Sequence, residues 1–400
     1  MNPNLELLKL YPLERLNELK KQLHPPNELH HIQLHIGEPQ HPIPDFVKDI
    51  LQDNVELVQC YPTPKGSDNL RKAIKNWLVK RYSLPDNSLN IDTQVLPVNG
   101  SREALFSFAQ AVVNSLKEDP LVLIPNPFYQ VYEAATLLAN ATPVYINCIA
   151  ENNYLPNFTR VPADYWKHCQ MVYLCSPGNP TGAVMTRQVL FELIGLAIKY
   201  DFIIAADECY SEIYQDEEKP PLGLLEAAYE FGNTDFKNCV VFNSLSKRSG
   251  VAGLRSGFVA GDQDIIHNFL KYRMYHGSAM PLMAQQASAA CWEDELHVQE
   301  SRALYQKKFN EVLEILKPVL EIHKPEAGFY LWLKLPIDDD EGFARELYRQ
   351  KNITVLPGSY LSRSVGSTNP GTGYIRLALV APLEECVEAA QRIRAFLHSM

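Results

Sequence analysis

The sequence lacks several features that mark common classes of protein. Its 400 residues contain no run of eighteen apolar residues, so no transmembrane helix and no membrane partner are predicted. The first turns carry charged side chains rather than the apolar core of a signal peptide, which favours a cytoplasmic location. A net charge of -10 leaves no basic stripe for nucleic acid.

Cysteine is present without a recognisable pattern. The eight cysteines form no CxxC pair and show no metal-ligand spacing; they stand at positions 60, 148, 169, 175, 209, 239, 291 and 386. We therefore expect reduced, mostly buried thiols and no metal site.

The length and the order of apolar segments predict more than one domain. Four hundred residues exceed what one core usually organises, and 46% apolar residues are enough to fill two. Strand-like runs at residues 95–98, 121–124, 171–175, 202–206 and 240–243 alternate with helix-like segments. This alternation predicts an α/β fold, a largely parallel sheet covered by helices.

The two ends of the chain differ from this pattern. Residues 1 to about 30 form a predicted amphipathic arm that ends at Pro25 and Pro26. A helix over 295–316 is expected to lead into strands at 329–333 and 353–356 and a closing helix at 383–397. We predict three parts: 1–44, the arm with part of a small domain; 45–295, a large domain; and 296–400, a small C-terminal α+β domain.

The segment 243–257, NSLSKRSGVAGLRSG, carries the most specific chemistry. A lysine amine, here Lys247, can form a Schiff base with an aldehyde. The hydroxyls of Ser244 and Ser246 and the guanidinium of Arg255 suit a phosphate. Pyridoxal phosphate carries both an aldehyde and a phosphate, so this segment of the large domain is a candidate site for that cofactor. Taken alone, the same residues are also typical of an ordinary exposed loop.

Two motifs upstream, SPGNPTG at 176–182 and AADECY at 205–210, supply further candidates. Asp207 ends a predicted strand, where α/β sheets bind ligands, and could pair with a pyridinium nitrogen; the alternative is a helix N-cap. Tyr210 and Asn179 are candidates for the 3-oxygen of the cofactor ring. For Asn179 the alternative is an ordinary Gly-Asn-Pro turn.

In this order, the three motifs resemble those of the pyridoxal-phosphate-dependent aminotransferases of fold type I, class I/II. The resemblance extends from Gly37 to the region of Arg376. It implies a large domain with a mostly parallel sheet flanked by helices and a smaller C-terminal domain. It also implies ping-pong transfer of an amino group between small amino and keto acids.

On the cofactor side, the resemblance assigns roles residue by residue. Lys247 matches the lysine that binds the cofactor and moves the substrate α-proton, and Arg255, Ser244 and Ser246 match the phosphate side. The turn of Gly100, Ser101 and Arg102 before a predicted helix matches a phosphate-binding helix N-terminus, although such turns are common.

Two tyrosines receive roles from the resemblance alone. Tyr129 matches the ring that stacks on the pyridine; the alternative is a core tyrosine on an amphipathic helix. Tyr61 matches a tyrosine that reaches the phosphate of the neighbouring subunit, which implies a homodimer with a shared active site.

On the substrate side, Arg376 matches the arginine that grips the α-carboxylate, a role for a bidentate fork that lysine does not imitate. Arg376 could instead face solvent from an edge strand, because apolar residues alternate with it at Ile375, Leu377 and Leu379. Gly37 matches a backbone contact near the carboxylate.

Several phrases, among them IGEPQHPIP, VNGSREALFSFAQ and NPFYQVYE, resemble the succinyldiaminopimelate aminotransferases of bacterial lysine biosynthesis. That family exchanges an amino group between N-succinyl-L,L-2,6-diaminopimelate and 2-oxoglutarate. The distal succinyl carboxylate would need a second cation, for which Arg363 and Arg102 are candidates; a solvated surface arginine is the alternative for each.

Other functions fit the same motifs. An aspartate- or aromatic-type aminotransferase, or a C-S lyase of the same fold, would keep every cofactor residue. A non-enzymatic regulator built on such a domain is less favoured, because no basic DNA-binding segment is evident.

Overall fold

The computed structural model describes residues 1–322 and 324–400. Within them the strands, in chain order, are β1 Ile32–Gln33, β2 Val95–Val98, β3 Leu121–Asn126, β4 Thr142–Asn147, β5 Cys169–Cys175, β6 Ile203–Asp207, β7 Cys239–Ser244, β8 Gly257–Gly261, β9 Tyr330–Lys334, β10 Ile353–Thr354, β11 Leu356–Pro357 and β12 Tyr374–Ala378.

The α-helices are α1 Pro12–Lys20, α2 Asp45–Asp53, α3 Asp68–Arg81, α4 Ser101–Val112, α5 Val131–Leu138, α6 Ala163–His168, α7 Arg187–Tyr200, α8 Leu224–Glu230, α9 Leu245–Arg248, α10 Gln263–His276, α11 Leu282–Glu293, α12 Leu296–Leu316, α13 Asp340–Lys351 and α14 Leu383–His398. Short 3-10 helices span Pro3–Leu7, Val55–Gln59, Ala150–Asn152, Phe158–Arg160, Ala252–Leu254 and Gly358–Leu361.

A seven-stranded sheet with the order β2-β8-β7-β6-β5-β3-β4 forms the centre of the larger unit. Only β8 runs antiparallel to its neighbours β2 and β7. The inner strands of this sheet are continuous apolar runs, and Val240, Val241 and Phe242 of β7 are fully buried. Such runs are typical of parallel strands covered on both faces. The predicted α/β fold is confirmed; β4 and β8 were not predicted, and β8 is a glycine-bounded run without alternation.

The carboxyl ends of the central strands bring polar residues to one edge. Cys175 at the end of β5 lies opposite Asp207 at the end of β6, and β7 ends at Ser244. After β2, Gly100 adopts a φ of +82°, a left-handed value that favours glycine, and the chain turns directly into α4. Ligands of α/β sheets bind at this edge.

A second core lies around the antiparallel sheet β11-β12-β9. Its buried residues include Leu331 and Leu333 of β9, Leu377 of β12 and Phe309 of α12. The predicted single strand at 353–356 is wrong: β10 pairs with β1, whereas β11 pairs with β12. The short apolar run thus serves two sheets. The residue boundaries predicted for the domains remain a prediction.

The N-terminal arm contacts both units. The Asn4 side-chain amide donates to the Leu137 carbonyl at 2.8 Å, at the end of α5. Leu16 of α1 is buried against Leu356 and Leu361 of the second unit. Between these anchors the arm passes over the edge described above.

No helix within 1–322 and 324–400 is both long and apolar enough to cross a membrane.

Candidate active site

A cavity of about 600 Å³ opens at the carboxyl edge of the central sheet. The structure brings most of the predicted site residues to its wall: Gly37, Ser101, Arg102, Tyr129, Asn179, Asp207, Tyr210, Ser244, Ser246, Lys247, Arg255 and Arg376. Tyr11, Pro12 and Leu13 of the arm also line it, as does His35. None of these four was predicted, because nothing in the local sequence of the arm identifies a binding surface.

Lys247 lies in the short helix α9, directly after β7. The Ser244 hydroxyl caps this helix by accepting from the Ser246 amide at 3.1 Å. The Lys247 Nζ donates to the Gly37 carbonyl and lies 5.6 Å from the centroid of the Phe329 ring. Burial lowers the pKa of Lys247, and the positive charges of Arg376 and Arg102 add to this effect. A lowered pKa increases the fraction of the amine that is neutral, and the neutral amine is the form that acts as a nucleophile or a base.

Asp207 is a buried carboxylate, 3% exposed, at the end of β6. It accepts hydrogen bonds from the Tyr132 hydroxyl at 2.8 Å and the Cys209 amide at 3.3 Å. Burial raises the pKa of Asp207. Among the described residues no cation forms an ion pair with it, and it caps no described helix, so the N-cap alternative is wrong.

Tyr132 was missed by sequence reasoning. It stands three residues after Tyr129 in NPFYQVYE, a spacing that places both on the same side of the chain as it enters α5. Its ring stacks on that of Tyr173, with centroids 4.6 Å apart, and this holds its hydroxyl toward Asp207.

The candidate phosphate subsite combines hydroxyls, a guanidinium and a helix N-terminus. The hydroxyls of Ser244 and Ser246 lie 3.0 Å apart. Arg255 is held by bonds from its guanidinium to the carbonyls of Ala252 at 2.9 Å and Asn99 at 3.2 Å. The guanidinium lies against Gly100, where a side chain would collide with it. Gly100 is therefore behind the wall rather than part of it.

Tyr129 lies in the loop before α5, so the alternative of a core tyrosine on a helix is wrong. Its hydroxyl accepts from the Arg102 Nε. The Arg102 guanidinium also reaches the Tyr11 hydroxyl of the arm at 3.5 Å. Arg102 is exposed and forms no ion pair with any described residue, which leaves its charge available to an anion.

Arg376 is buried, with 6% exposure, on the middle strand of its sheet. It donates to the Asn179 side-chain oxygen at 2.8 Å and to the His35 carbonyl at 2.8 Å, while its Nε has no partner among the described atoms. The guanidinium lies 4.3 Å from the centroid of the Tyr330 ring. The alternative of a solvent-facing edge residue is wrong.

Gly37 and Tyr210 both adjoin Tyr330. A side chain at Gly37 would collide with the Tyr330 hydroxyl, so only glycine lets the backbone approach this closely. The Tyr210 hydroxyl lies 3.1 Å from that of Tyr330. The cofactor contacts predicted for Tyr210 and Asn179 remain predictions.

Arg363 does not line the cavity. Its guanidinium forms a bidentate ion pair with Glu133 of α5, at 2.7 and 2.5 Å. The side chains of Arg363 and Glu133 are 12% and 8% exposed. The hypothesis that Arg363 binds a distal carboxylate is therefore wrong, and so is the alternative of a solvated surface residue. Its charge is already neutralised within the protein.

Tyr61 is fully exposed and lies outside this cavity. Its predicted contact with a neighbouring subunit remains a prediction. No group of His, Cys, Asp or Glu side chains in the described part of the chain has the arrangement of a metal site.

Comparison with known proteins gives a consistent result. Residues 30–393 match the family model described as aminotransferase class I and II. The LL-diaminopimelate aminotransferase of Nitratidesulfovibrio vulgaris is 31% identical over 368 residues, covering 90% of each chain.

Two solved structures extend the comparison. An aminotransferase from Neisseria meningitidis is 46% identical with a TM-score of 0.95, covering 99% of this chain and all of the other. A probable N-succinyldiaminopimelate aminotransferase from Thermus thermophilus is 25% identical with a TM-score of 0.84, covering 96% of this chain and 99% of the other.

Proposed function

Since the chain belongs to the class I and II aminotransferase family, whose cofactor is pyridoxal phosphate, we propose that it moves an amino group between a diaminopimelate-type amino acid and 2-oxoglutarate. The observation that carries this proposal is the convergence of Lys247, Asp207 and Arg376 on one cavity. The two half-reactions use that cavity in turn, and the pathway is diaminopimelate and lysine biosynthesis.

The residues present fit the cofactor. The buried Asp207, without a cationic partner among the described residues, suits the protonated ring nitrogen. Ser244, Ser246, Arg255 and the start of α4 offer donors to the phosphate. When bound, pyridoxal phosphate supplies the electron sink that makes the substrate α-proton removable.

In this proposal each residue of the chain has a separate task. The Lys247 Nζ would be the covalent attachment point and, as a free amine, would accept the substrate α-proton and return it. The Asp207 carboxylate would hold the proton on the ring nitrogen. Arg376, with Asn179 beside it, grips the α-carboxylate of both the amino donor and the keto acid. The Tyr129 ring, on the wall of the cavity, would pack against the cofactor ring.

We propose N-succinyl-L,L-2,6-diaminopimelate as the donor, and LL-diaminopimelate is the competing candidate. Succinylation replaces a distal ammonium by an amide and adds a carboxylate. Apart from Lys247, Arg255 and Asp207, which the cofactor would engage, the described wall of the cavity carries two arginines, Arg102 and Arg376, and one acidic side chain, Glu38. This excess of positive charge favours the more anionic donor, and the unpaired Arg102 suits its distal carboxylate.

We further propose a homodimer in which Tyr61 reaches the cofactor phosphate of the partner. A fully exposed tyrosine and the exposed Val55 and Val58 nearby, at 52% and 66%, support an interface there.

The eight cysteines are free, which suits a reducing cytoplasm.

The test is a donor screen of the purified protein with 2-oxoglutarate, with glutamate formation as the readout. We expect the highest kcat/KM with the succinylated donor, lower values with LL-diaminopimelate and the lowest with aspartate. Lys247→Ala is expected to lose at least about a thousandfold in rate, whereas Lys72→Ala, on the exposed side of α3, is the matched control. Pyruvate and ammonia without glutamate would indicate a C-S lyase instead.

The role of Arg102 is tested by Arg102→Gln. Loss of a charge-assisted bond is expected to raise the KM for the succinylated donor about tenfold and to change the KM for aspartate less than about threefold. An equal rise for both donors would contradict a distal role for this residue.

A further inference from the structure

The two residues after Lys247 point away from the cavity and bind one joint of the fold. This joint is residues 291–297, where α11 ends and α12 begins. Ser249, the C-cap of α9, is 4% exposed, and its hydroxyl lies 2.8 Å from the His297 Nε2. The His297 Nδ1 in turn lies 2.5 Å from the Asp294 carboxylate. A continuous chain of hydrogen bonds therefore links the lysine-bearing helix to the joint.

Arg248 forms a second link to the same joint. Its side chain is fully buried and lies against the rings of both Trp77 and Trp292. It donates to the carbonyls of Cys291 and of Asp294, and forms an ion pair with Glu295 at 2.5 Å. Charge-assisted bonds of this kind hold geometry more firmly than neutral ones.

The joint connects the two cores of the molecule. From it, α12 runs into the second core, where its residues Phe309, Val312 and Leu316 are buried. That core also carries Arg376 on β12, the residue that faces the substrate. The first turn of α12 therefore contacts the end of α9, and the same helix continues into the core around β12.

The order Ser249, His297, Asp294 resembles a hydrolytic triad, but its surroundings exclude that chemistry. A nucleophilic serine needs space for an acyl substrate beside its hydroxyl. Ser249 is buried and does not line the active-site cavity. The arrangement is therefore suited to holding a position.

We propose that His297 and Ser249 are positioning residues for Lys247: they fix the C-terminal end of α9 to the first turn of α12 and so set where Nζ stands in the cavity. The inference rests on the proposed role of Lys247 as the cofactor lysine. The groups that face the His297 ring are Asp294, Arg248 and Glu295 with their charges, and the Phe46 ring of α2 at a centroid distance of 5.7 Å.

Loss of the link has a directional consequence. Burial is the main cause that lowers the pKa of Lys247. A looser α9 admits water beside Nζ, so the nitrogen becomes easier to protonate. When the cofactor is bound to Lys247, the linked nitrogen would be an imine, and water would favour its cationic form in the same way. The pH at which the visible absorbance is half changed is therefore expected to rise.

The experiment compares His297→Leu and Ser249→Ala with Gln299→Leu, a matched control on the exposed side of α12. In the holoenzyme, each of the first two is expected to raise the absorbance midpoint by at least about 0.5 pH unit. Both are expected to lower kcat about fivefold to tenfold with KM within about twofold. The double variant is expected to shift the midpoint and kcat little further than either single variant, because both changes break the same series of hydrogen bonds.

Three results overturn the inference. The first is an absorbance midpoint that is unchanged in both His297→Leu and Ser249→Ala, and the second is an equal shift of the midpoint in Gln299→Leu. The third is a loss of unfolding free energy without a change in the midpoint or in kcat. Ser249→Ala removes only one hydroxyl, so it decides the matter if His297→Leu does not fold. Failure of the proposed function is distinct from these outcomes. In that case the wild-type protein itself gains no visible absorbance with pyridoxal phosphate.

Discussion

The proposed cofactor side and the proposed substrate side of the cavity are built in different ways. Asp207 and Ser244 end neighbouring strands of one sheet, and Lys247 follows three residues later. On the substrate side, Arg376 comes from a different sheet, His35 follows β1 and Asn179 belongs to a turn after β5. The first set is fixed by a single rigid element, whereas the second exists only once both units and the arm have assembled.

This difference also appears in the charges. Asp207 on the cofactor side lacks a cationic partner within the described structure, which suits a cofactor that stays bound. Arg102, which is proposed to bind the substrate, is exposed, and its hydrogen bonds within the described structure are to two phenols. An exposed, weakly held cation suits a ligand that enters and leaves in each cycle.

The largest expected effect comes from Asp207→Asn, which removes a charge from the rigid side without changing its shape. An uncharged amide no longer stabilises a protonated ring nitrogen, so kcat is expected to fall on the order of a thousandfold. KM for the donor is expected to stay within about threefold, because binding is on the other side. Steady-state kinetics with saturating cofactor measure both.

The neighbouring Glu208 provides the matched control. Its carboxylate turns away from the cavity and accepts from the Tyr82 hydroxyl at 2.9 Å and the Leu224 amide at 2.7 Å. Glu208→Gln is expected to leave kcat within about threefold of wild type. A large loss in both variants would mean that the strand end, rather than the Asp207 charge, matters.

The next largest effect concerns the ion pair of Arg363 with Glu133, which joins the larger unit to the second unit. Arg363→Met leaves a nearly buried carboxylate without its cation, which is expected to cost about 3 kcal/mol of unfolding free energy. Urea unfolding measures this loss. The double variant Arg363→Met/Glu133→Met is expected to recover most of it, since neither charge then remains.

The same variant separates structure from specificity. KM for the succinylated donor is expected to change less than about twofold in Arg363→Met, because its guanidinium does not reach the cavity. A tenfold rise in this KM with unchanged stability would place Arg363 on the substrate side after all.

The pH dependence of stability has opposite signs on the two sides. Burial raises the pKa of Glu208 from 4.5 to about 7, so its contribution is complete below pH 4.5 and is lost as pH rises to 7. Burial lowers the pKa of His35 from 6.5 to about 3, so its contribution is complete above pH 6.5 and is lost as pH falls toward 3.

Glu208→Gln isolates the first of these contributions. The amide is neutral at every pH, so variant and wild type are expected to have similar stability at pH 4.5. Above pH 7 the variant is expected to be more stable by on the order of 2 kcal/mol. Urea unfolding at both pH values tests this, and His35 affects both proteins equally. A difference that does not vary with pH would contradict the assignment.

The sequence predicted the cofactor side because its information is local. Apolar runs that end in Asp207 and Ser244 identify both the strands and the edge at which they meet, so the α/β fold and the position of Lys247 followed from short segments. Tyr132 was missed because its function depends on the Asp207 carboxylate, 75 residues away in the chain.

The substrate side was predicted less well because its contacts are distant in sequence. Arg363 and Glu133 are separated by 230 residues, and the sequence alone does not show which arginines are neutralised by such partners. The alternation around Arg376 did not distinguish an edge strand from the middle strand of a three-stranded sheet. Both questions depend on tertiary packing rather than on periodicity.

The smallest expected effect is that of Arg376→Lys, on the assembled side. A lysine keeps the charge but cannot bond Asn179, the His35 carbonyl and a carboxylate with one planar fork. We expect kcat/KM to fall about tenfold for the donor and for 2-oxoglutarate alike, since both carboxylates are proposed to bind the same fork. Separate half-reactions measure the two values, and Arg345→Lys, exposed on α13, is the control. A loss confined to the donor would mean that the keto acid is held elsewhere, and the substrate side would then consist of two sites rather than one.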